Sequence, residues 1–356
     1  MTGPPPGHQQ LLAEGILKKW RPGWTSIMVS HQWLGAQHPD IRGEHLSILQ
    51  GALRNIISGK VRVCSDIAFQ FMGKNRILSK AERAALAKSY IWLDWWSIPQ
   101  ISLRSFYFID DATLERDQDA GIRSIPFYVS VSRFFISLVP PLRHQVTGKI
   151  CDYGTYLQRG WCRAELWCRY LACSNLDLAS EEDEVQDTAI DTGRILPAIV
   201  VSATDCIEFG STETWRHCLA HEGEFTLESD RESVGEMCRA ALDLKLRELS
   251  ESPKDLDLFR VLASRREDLT GAEERVRSVE EFLAHFKFPS LETAAKVRRG
   301  IGGLACATLS GDLPMMRRLF DARASLTTRA KEMFEVGIGP DFTPLFLAVV
   351  RSRHST

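Results

Sequence analysis

The sequence predicts an α/β fold, a parallel sheet covered by helices on both faces, followed by an all-helical C-terminal segment. Three observations carry this. Four short apolar runs, Ser26–Ser30, Tyr90–Asp94, Phe134–Val139 and Ile199–Val201, are separated by stretches with helical spacing, and strands alternating with helices give a parallel sheet with both faces buried. Eight of the nine tryptophans lie between Trp20 and Trp167, so the first half needs one substantial core. From Gly300 onward the pattern changes to short helical pairs.

The elements follow in order. Leu46, Leu49, Leu53, Ile56 and Ile57 mark one face of a helix over Glu44–Ile57,. Ser79-Lys-Ala-Glu82 is a capping box opening a helix to about Lys88, because the Ser side chain and the Glu three residues on satisfy each other's amides. A short helix is expected over Ile125–Ser132, then the third strand, stopped by Pro140-Pro141. Trp161–Cys173 has helical spacing. Leu178–Asp191, rich in Ser, Glu and Asp, reads as a solvated loop,. Glu232–Leu249 and Leu256–Phe286 read as a helical connector. The expected boundaries are 1–23 for an N-terminal extension, 24–210 for the α/β domain, 211–299 for the connector and 300–356 for the tail.

Composition narrows the function classes. The chain has 356 residues with 44 basic and 46 acidic side chains, a net charge of -2. That balance predicts no nucleic-acid partner and no anionic-lipid surface. No apolar run approaches the roughly 20 residues that span a bilayer, and the start, Met1-Thr-Gly-Pro-Pro-Pro-Gly-His, has no basic patch before an apolar run. Nine cysteines without a Cys-x-x-Cys pair suggest reduced thiols rather than a disulfide scaffold or a zinc ribbon. The expectation is a cytoplasmic protein.

Parallel sheets bind ligands beyond the carboxyl ends of their strands. This directs attention to Ser30-His-Gln-Trp33, to Asp94-Trp-Trp96 and to the segment after Val139. Four ordered pieces stand there: Thr25-Ser-Ile-Met-Val-Ser-His31, Trp92-Leu-Asp94, Ser132-Arg-Phe-Phe-Ile-Ser-Leu-Val-Pro140 and Trp161-Cys-Arg-Ala-Glu-Leu166, followed by Ile195-Leu-Pro-Ala-Ile-Val-Val201. This set resembles a divergent Toll/interleukin receptor-type (TIR) domain over about Trp24 to Phe209. Two features depart from that pattern. Residues 58–89 are extra, and the stretch after Asp94 reads Trp-Trp-Ser-Ile-Pro-Gln100 without the expected Gly, similar instead to fungal heterokaryon-incompatibility domains. The alternation of strands and helices gives a flavodoxin-like sheet of order 2-1-3-4, with the first strand between the second and third and a fifth left open.

The tail resembles ankyrin repeats. It carries Thr343-Pro344-Leu345, the small Ala307 and Ala348 where paired helices pack, and Gly311-Asp312 at an inter-helix turn. Leu304 and Leu345 are 41 residues apart, longer than the usual ankyrin period of about 33, and the surplus fits an enlarged loop over Arg329–Pro340. Leu304–Thr308 and Leu345–Val349 are the expected first helices. An incomplete stack ending there is expected to expose apolar surface.

The TIR resemblance implies an activity. Some members of that family cleave NAD at the nicotinamide–ribose bond with a Glu four residues after a Trp, a position matched by Glu165 after Trp161. NAD would be substrate, not cofactor. Nicotinamide leaves neutral from a cationic ring, so the charge that develops is on the ribose, and one placed carboxylate stabilises it. Glu165 is the candidate catalytic residue; Ser30, His31, Trp33, Asp94 and Trp161 are candidate lining residues. Each has a plainer alternative: an exposed pair with Arg169 for Glu165, backbone bonding at a strand end for Asp94, core packing for the others. Glu165 is expected to point into a cleft beyond Ser30 and Asp94. His217-Cys218-x-x-His221-Glu222 lacks a second ligand pair, so no metal is expected. Gly300-Ile-Gly-Gly303 lacks the Lys-Ser/Thr of a phosphate loop. Cys162, Cys168 and Cys173 read as small buried hydrophobes. Three functions follow: an NAD glycohydrolase whose repeats bind a protein partner, a non-enzymatic adaptor acting by self-association and repeat-mediated binding, or a nucleoside-processing enzyme on a related flavodoxin-like fold.

Overall fold

The computed structural model describes residues 3–67, 70, 75–101, 111–172, 197–211, 214, 216–273, 275–333 and 336–352. The acidic stretch Leu178–Asp191, Cys173 and the start of the last strand motif lie outside them. Two compact units form, one of Met1–Ser211 with Gly223–Thr226, the other of Thr212–Glu222 with Leu227–Thr356.

The first unit is built on a mixed five-stranded sheet. Its strands are β1 (Ser26–His31), β2 (Tyr90–Leu93), β3 (Phe134–Leu138), β6 (Ile199–Val201) and β7 (Ile207–Phe209); β4 (Leu142–Arg143) and β5 (Ile150–Cys151) make a separate ribbon. The order is β2-β1-β3-β6-β7. The first four run parallel and β7 is antiparallel to β6. Strand β1 thus lies between β2 and β3, as the sequence predicts. The fifth strand is three residues long and half-buried on alternate positions, too little pattern to read in advance. Helices α1 (His8–Ala13), α2 (Glu44–Ser58), α3 (Lys80–Leu86), α4 (Asp94–Ser97), α5 (Asp111–Arg123), α6 (Ile125–Val131), α7 (Tyr153–Tyr156) and α8 (Gly160–Tyr170) complete this unit.

Strand alternation sorts the core. Ile27 and Val29 of β1, with Phe134, Ile136 and Leu138 of β3, join Leu49, Ala52 and Ile56 of α2 in one buried cluster. Successive strand residues point to opposite faces, so Met28, Ser30, Phe135 and Ser137 face the other layer. The extra segment 58–89 earns its place at the sheet edge. Val63, Leu78 and Leu86 enter the same cluster, and the Phe209 amide donates to Cys64 O at 2.9 Å. The capping box at Ser79 and Glu82 forms as predicted. One expectation changes at β2: the strand ends at Leu93, and Asp94 opens α4 instead of closing the strand.

The second unit is helical in its described residues. Helix α9 (Asp230–Ser250) is followed by α10 (Leu256–Ser264), α11 (Arg266–Thr270), α12 (Val279–Phe286) and α13 (Leu291–Ala295). The Leu256–Phe286 stretch, expected to be helical, is three helices. The tail forms α14 (Gly303–Ser310), α15 (Leu313–Asp321) and α16 (Pro344–Ser352). Gly311 ends α14 with φ 71°, a left-handed conformation that glycine adopts without strain, and Asp312 caps α15 by accepting from Met315 N,. Leu345 and Phe346 on α16 are 71% and 53% exposed. Among the described residues, no helix is long and apolar enough to cross a membrane.

Candidate functional site

Two adjacent residues at the end of β1 build the site by facing opposite ways. Ser30 faces the α7–α8 layer. It pairs in register with Ser137 of β3, and both hydroxyls reach Tyr156, at 2.7 Å from Ser30 and 3.4 Å from Ser137. Ser30 Oγ donates to Glu165 Oε2. The Tyr156 hydroxyl, Ser30 and the Glu165 carboxyl are therefore one hydrogen-bonded chain, buried throughout.

His31 faces α2. Its Nε2 is 3.0 Å from Asp94 Oδ1, and its Nδ1 is 3.2 Å from His45 Nδ1. Asp94 Oδ1 also accepts the Trp95 amide at 2.6 Å, and Oδ2 accepts Trp33 Nε1 at 2.7 Å. Of the two roles anticipated for Asp94, the structure shows the bond to a backbone amide, that of Trp95, and adds bonds to the His31 and Trp33 side chains, which the sequence did not suggest. Asp40 fixes the other partner, accepting from Glu44 N and Leu46 N at 2.8 and 2.9 Å. This cap sets the first turn of α2, where His45 sits.

The charges follow from these contacts. Burial alone would lower His31, but the Asp94 carboxylate bonded to it outweighs that and raises its pKa. Burial pushes Asp94 up, and His31 with the Trp33 and Trp95 hydrogen bonds brings it below its usual range. Burial, then the adjacent His31, holds His45 well below the ordinary histidine value. The arrangement is a His31 ring held between the Asp94 carboxylate, which favours its protonated form, and a His45 ring whose protonated form burial disfavours. Glu165 has no such partner. Burial raises its carboxyl to about 8, against the hydrogen bond from Ser30. Its protonated form is the resting one at neutral pH.

Helix α8 carries Glu165, and its start is held by main chain. Gly160 N donates to Glu224 O at 3.0 Å, and Glu224 N to Gln158 O at 2.7 Å. The fit is tight: a Cβ at Gly223 would lie 2.4 Å from Gly160 Cα and 2.5 Å from its N. Backbone cannot rotate away as a side chain does. Gly223→Ala should cost about 1–3 kcal/mol and shift the turn that positions Glu165, read as a lower urea midpoint with an unchanged slope.

Of the sequence-predicted residues, Ser30, His31, Trp33, Asp94 and Glu165 are gathered at the β1 and β2 carboxyl ends. Trp161 is half-buried in the first turn of α8, one turn before Glu165. The exposed Glu165–Arg169 pair does not form. Glu165 is 9% exposed and Arg169 is 3% exposed, and Arg169 donates to Ser132 O and Arg133 O at 2.7 and 2.9 Å, tying α8 to the start of β3. Cys162 and Cys168 are buried, as read from the sequence. Sequence reasoning missed His45 and Tyr156. The one available signal was the helical register of His45 beside Leu46 and Leu49; nothing local marks Tyr156. Comparison of the chain with family models, with curated proteins and with solved structures finds no match.

Proposed function

We propose that the first unit is a TIR-like glycohydrolase that cleaves the nicotinamide–ribose bond of NAD, and that the α14–α16 tail is an ankyrin segment binding a protein partner. The observation that supports the reading is Glu165: a buried carboxyl against the face of the sheet near the end of β1, hydrogen-bonded by Ser30. Burial keeps it protonated until a cation arrives. The pyridinium ring of NAD is such a cation, and an adjacent positive charge lowers a carboxyl pKa. Glu165 releases its proton to solvent as NAD binds, and the ionised carboxylate then faces the ribose. The C–N bond breaks with its electron pair going to nicotinamide, which leaves neutral, and the carboxylate stabilises the oxocarbenium that remains. Water adds to that cation, and its proton passes to Glu165. Ser30 and Tyr156 hold the carboxyl in place through both charge states.

Charge discrimination tests this. The full chain should release nicotinamide from NAD and leave NADH, whose ring is neutral, intact over the same period. Equal turnover of both, or of neither, counts against the reading. A second reading, a non-enzymatic adaptor, is favoured by one observation. Leu345, Phe346 and Val349 form an exposed apolar face on α16, suited to a protein partner. It predicts partner binding with no nicotinamide release.

A further inference from the structure

The N-terminal segment lies across the turn that follows β2. Residues 4–7 carry no regular secondary structure and lead into α1. Pro4 and Pro5 each precede a proline. The ring locks φ near −65°, and the following proline pushes ψ to extended values. Pro4-Pro5-Pro6 is thereby restricted to a polyproline II helix before it touches anything.

What it touches is aromatic. Pro5 is buried, and its carbonyl accepts from Trp95 Nε1 at 3.2 Å. His38 reaches the same oxygen at 3.2 Å through Nε2. The His38 tautomer is fixed, because Nδ1 accepts the Asp40 amide at 2.9 Å, leaving the proton on Nε2. The His38 and Trp95 rings lie 4.5 Å apart, and Trp33 stands edge-on to Trp95 at 5.7 Å. Downstream, His8 Nδ1 donates to Trp96 O at 2.9 Å and Gln9 Nε2 to Gln100 O at 2.8 Å. An indole N–H and an imidazole N–H converging on one carbonyl of a preformed polyproline segment, between aromatic walls, is the chemistry by which proline-rich peptides are recognised.

We propose that the surface formed by His38, Trp95 and Trp33 is a binding site for proline-rich protein segments, and that residues 3–7 are its resident ligand in cis. The resident segment holds this surface by proximity. A tether of this length gives an effective concentration in the millimolar range, so a free segment of equal intrinsic affinity competes poorly until the cis contact weakens. The partner is therefore a protein presenting consecutive prolines. The inference is independent of any enzymatic activity.

The test uses the full chain and a labelled peptide of residues 1–13, followed by fluorescence anisotropy. The variant carrying Pro4→Gly, Pro5→Gly and Pro6→Gly loses the preformed helix and should bind the peptide at least about ten-fold more tightly than wild type, as expected from removing a millimolar competitor. Adding His38→Phe, which keeps a ring but removes the N–H donor, should weaken that binding. Equal affinity for wild type and variant, or no binding by a variant with native circular dichroism, would overturn the proposal. A second measurement covers a variant that fails to fold. In wild type, excess unlabelled peptide should speed hydrogen exchange at the Leu11 amide, which donates to Gly7 O at 3.1 Å, because displaced residues 3–7 no longer set the start of α1. Unchanged exchange at saturating peptide would equally overturn it.

Discussion

Glu165→Gln should stabilise the chain at alkaline pH while removing the proposed nicotinamide-releasing activity. In the unfolded chain the carboxyl ionises near 4.5; in the folded chain burial holds it protonated to about 8. Between those values the unfolded state loses a proton that the folded state keeps, so this group makes wild-type stability fall as pH rises. The slope is about 1.4 kcal/mol per pH unit, levelling off above the folded pKa. Glutamine has the same shape and nothing to ionise. Urea denaturation should show the two proteins close at pH 4.5 and the variant ahead by a few kcal/mol at pH 8. A gap that does not change with pH would contradict the buried, unpaired state of this carboxyl. A stability gain joined to a loss of activity marks a group kept for function at a cost to the fold. A purely structural Glu165 would give the opposite sign.

Asp94→Ala should be the most destabilising single change at the site, by about 3–5 kcal/mol. It removes the carboxylate bonded to His31 and leaves the Trp33 indole and Trp95 amide without an acceptor. The Asp94 side chain is 25% exposed and that of His31 3%, so His31 bears the larger penalty and should respond by losing its proton. The pH dependence has a defined window. Asp94 is depressed, so its contribution is present above the unfolded carboxyl pKa and is lost as pH falls through the folded value. His31 is raised, so its contribution is full below the unfolded imidazole pKa and is lost as pH rises through the folded value. Both conditions hold between about pH 4 and 6.5. The cost of Asp94→Ala should peak there and shrink on either side, as measured by urea midpoints across pH. Asp94→Asn, which keeps an acceptor, should recover part of the loss.

The sheet was legible because β-branched and aromatic runs such as Ile27-Met-Val29 and Phe134-Phe-Ile136 leave little alternative to a buried strand, and because parallel strands need helical crossovers. That Ser30, His31, Trp33 and Asp94 lie together was legible because strand carboxyl ends are where such sheets assemble sites, whereas Glu165 stood out through its match, four residues after Trp161, to the TIR-like pattern. Tyr156 was not, since its partner Ser30 is 126 residues away and no local pattern encodes that contact. His45 read as one more position on an amphipathic helix; its role appears only when α2 packs over β1. The plainer alternative for Glu165, an exposed pair with Arg169, does not form for a related reason. Helical spacing states which side chains are neighbours along one helix, while packing against the sheet buried both and gave Arg169 the Ser132 and Arg133 carbonyls.

The most direct measurement is nicotinamide release from NAD by purified full-length chain, set beside Glu165→Gln and run over a range of protein concentrations so that self-associated forms are included. Wild type should release nicotinamide, and the folded Glu165→Gln variant should lose nearly all of that activity at every concentration. A variant that releases nicotinamide at the wild-type rate, or a wild-type chain that releases none at any concentration, would contradict the assignment of Glu165 to cleavage of the nicotinamide–ribose bond.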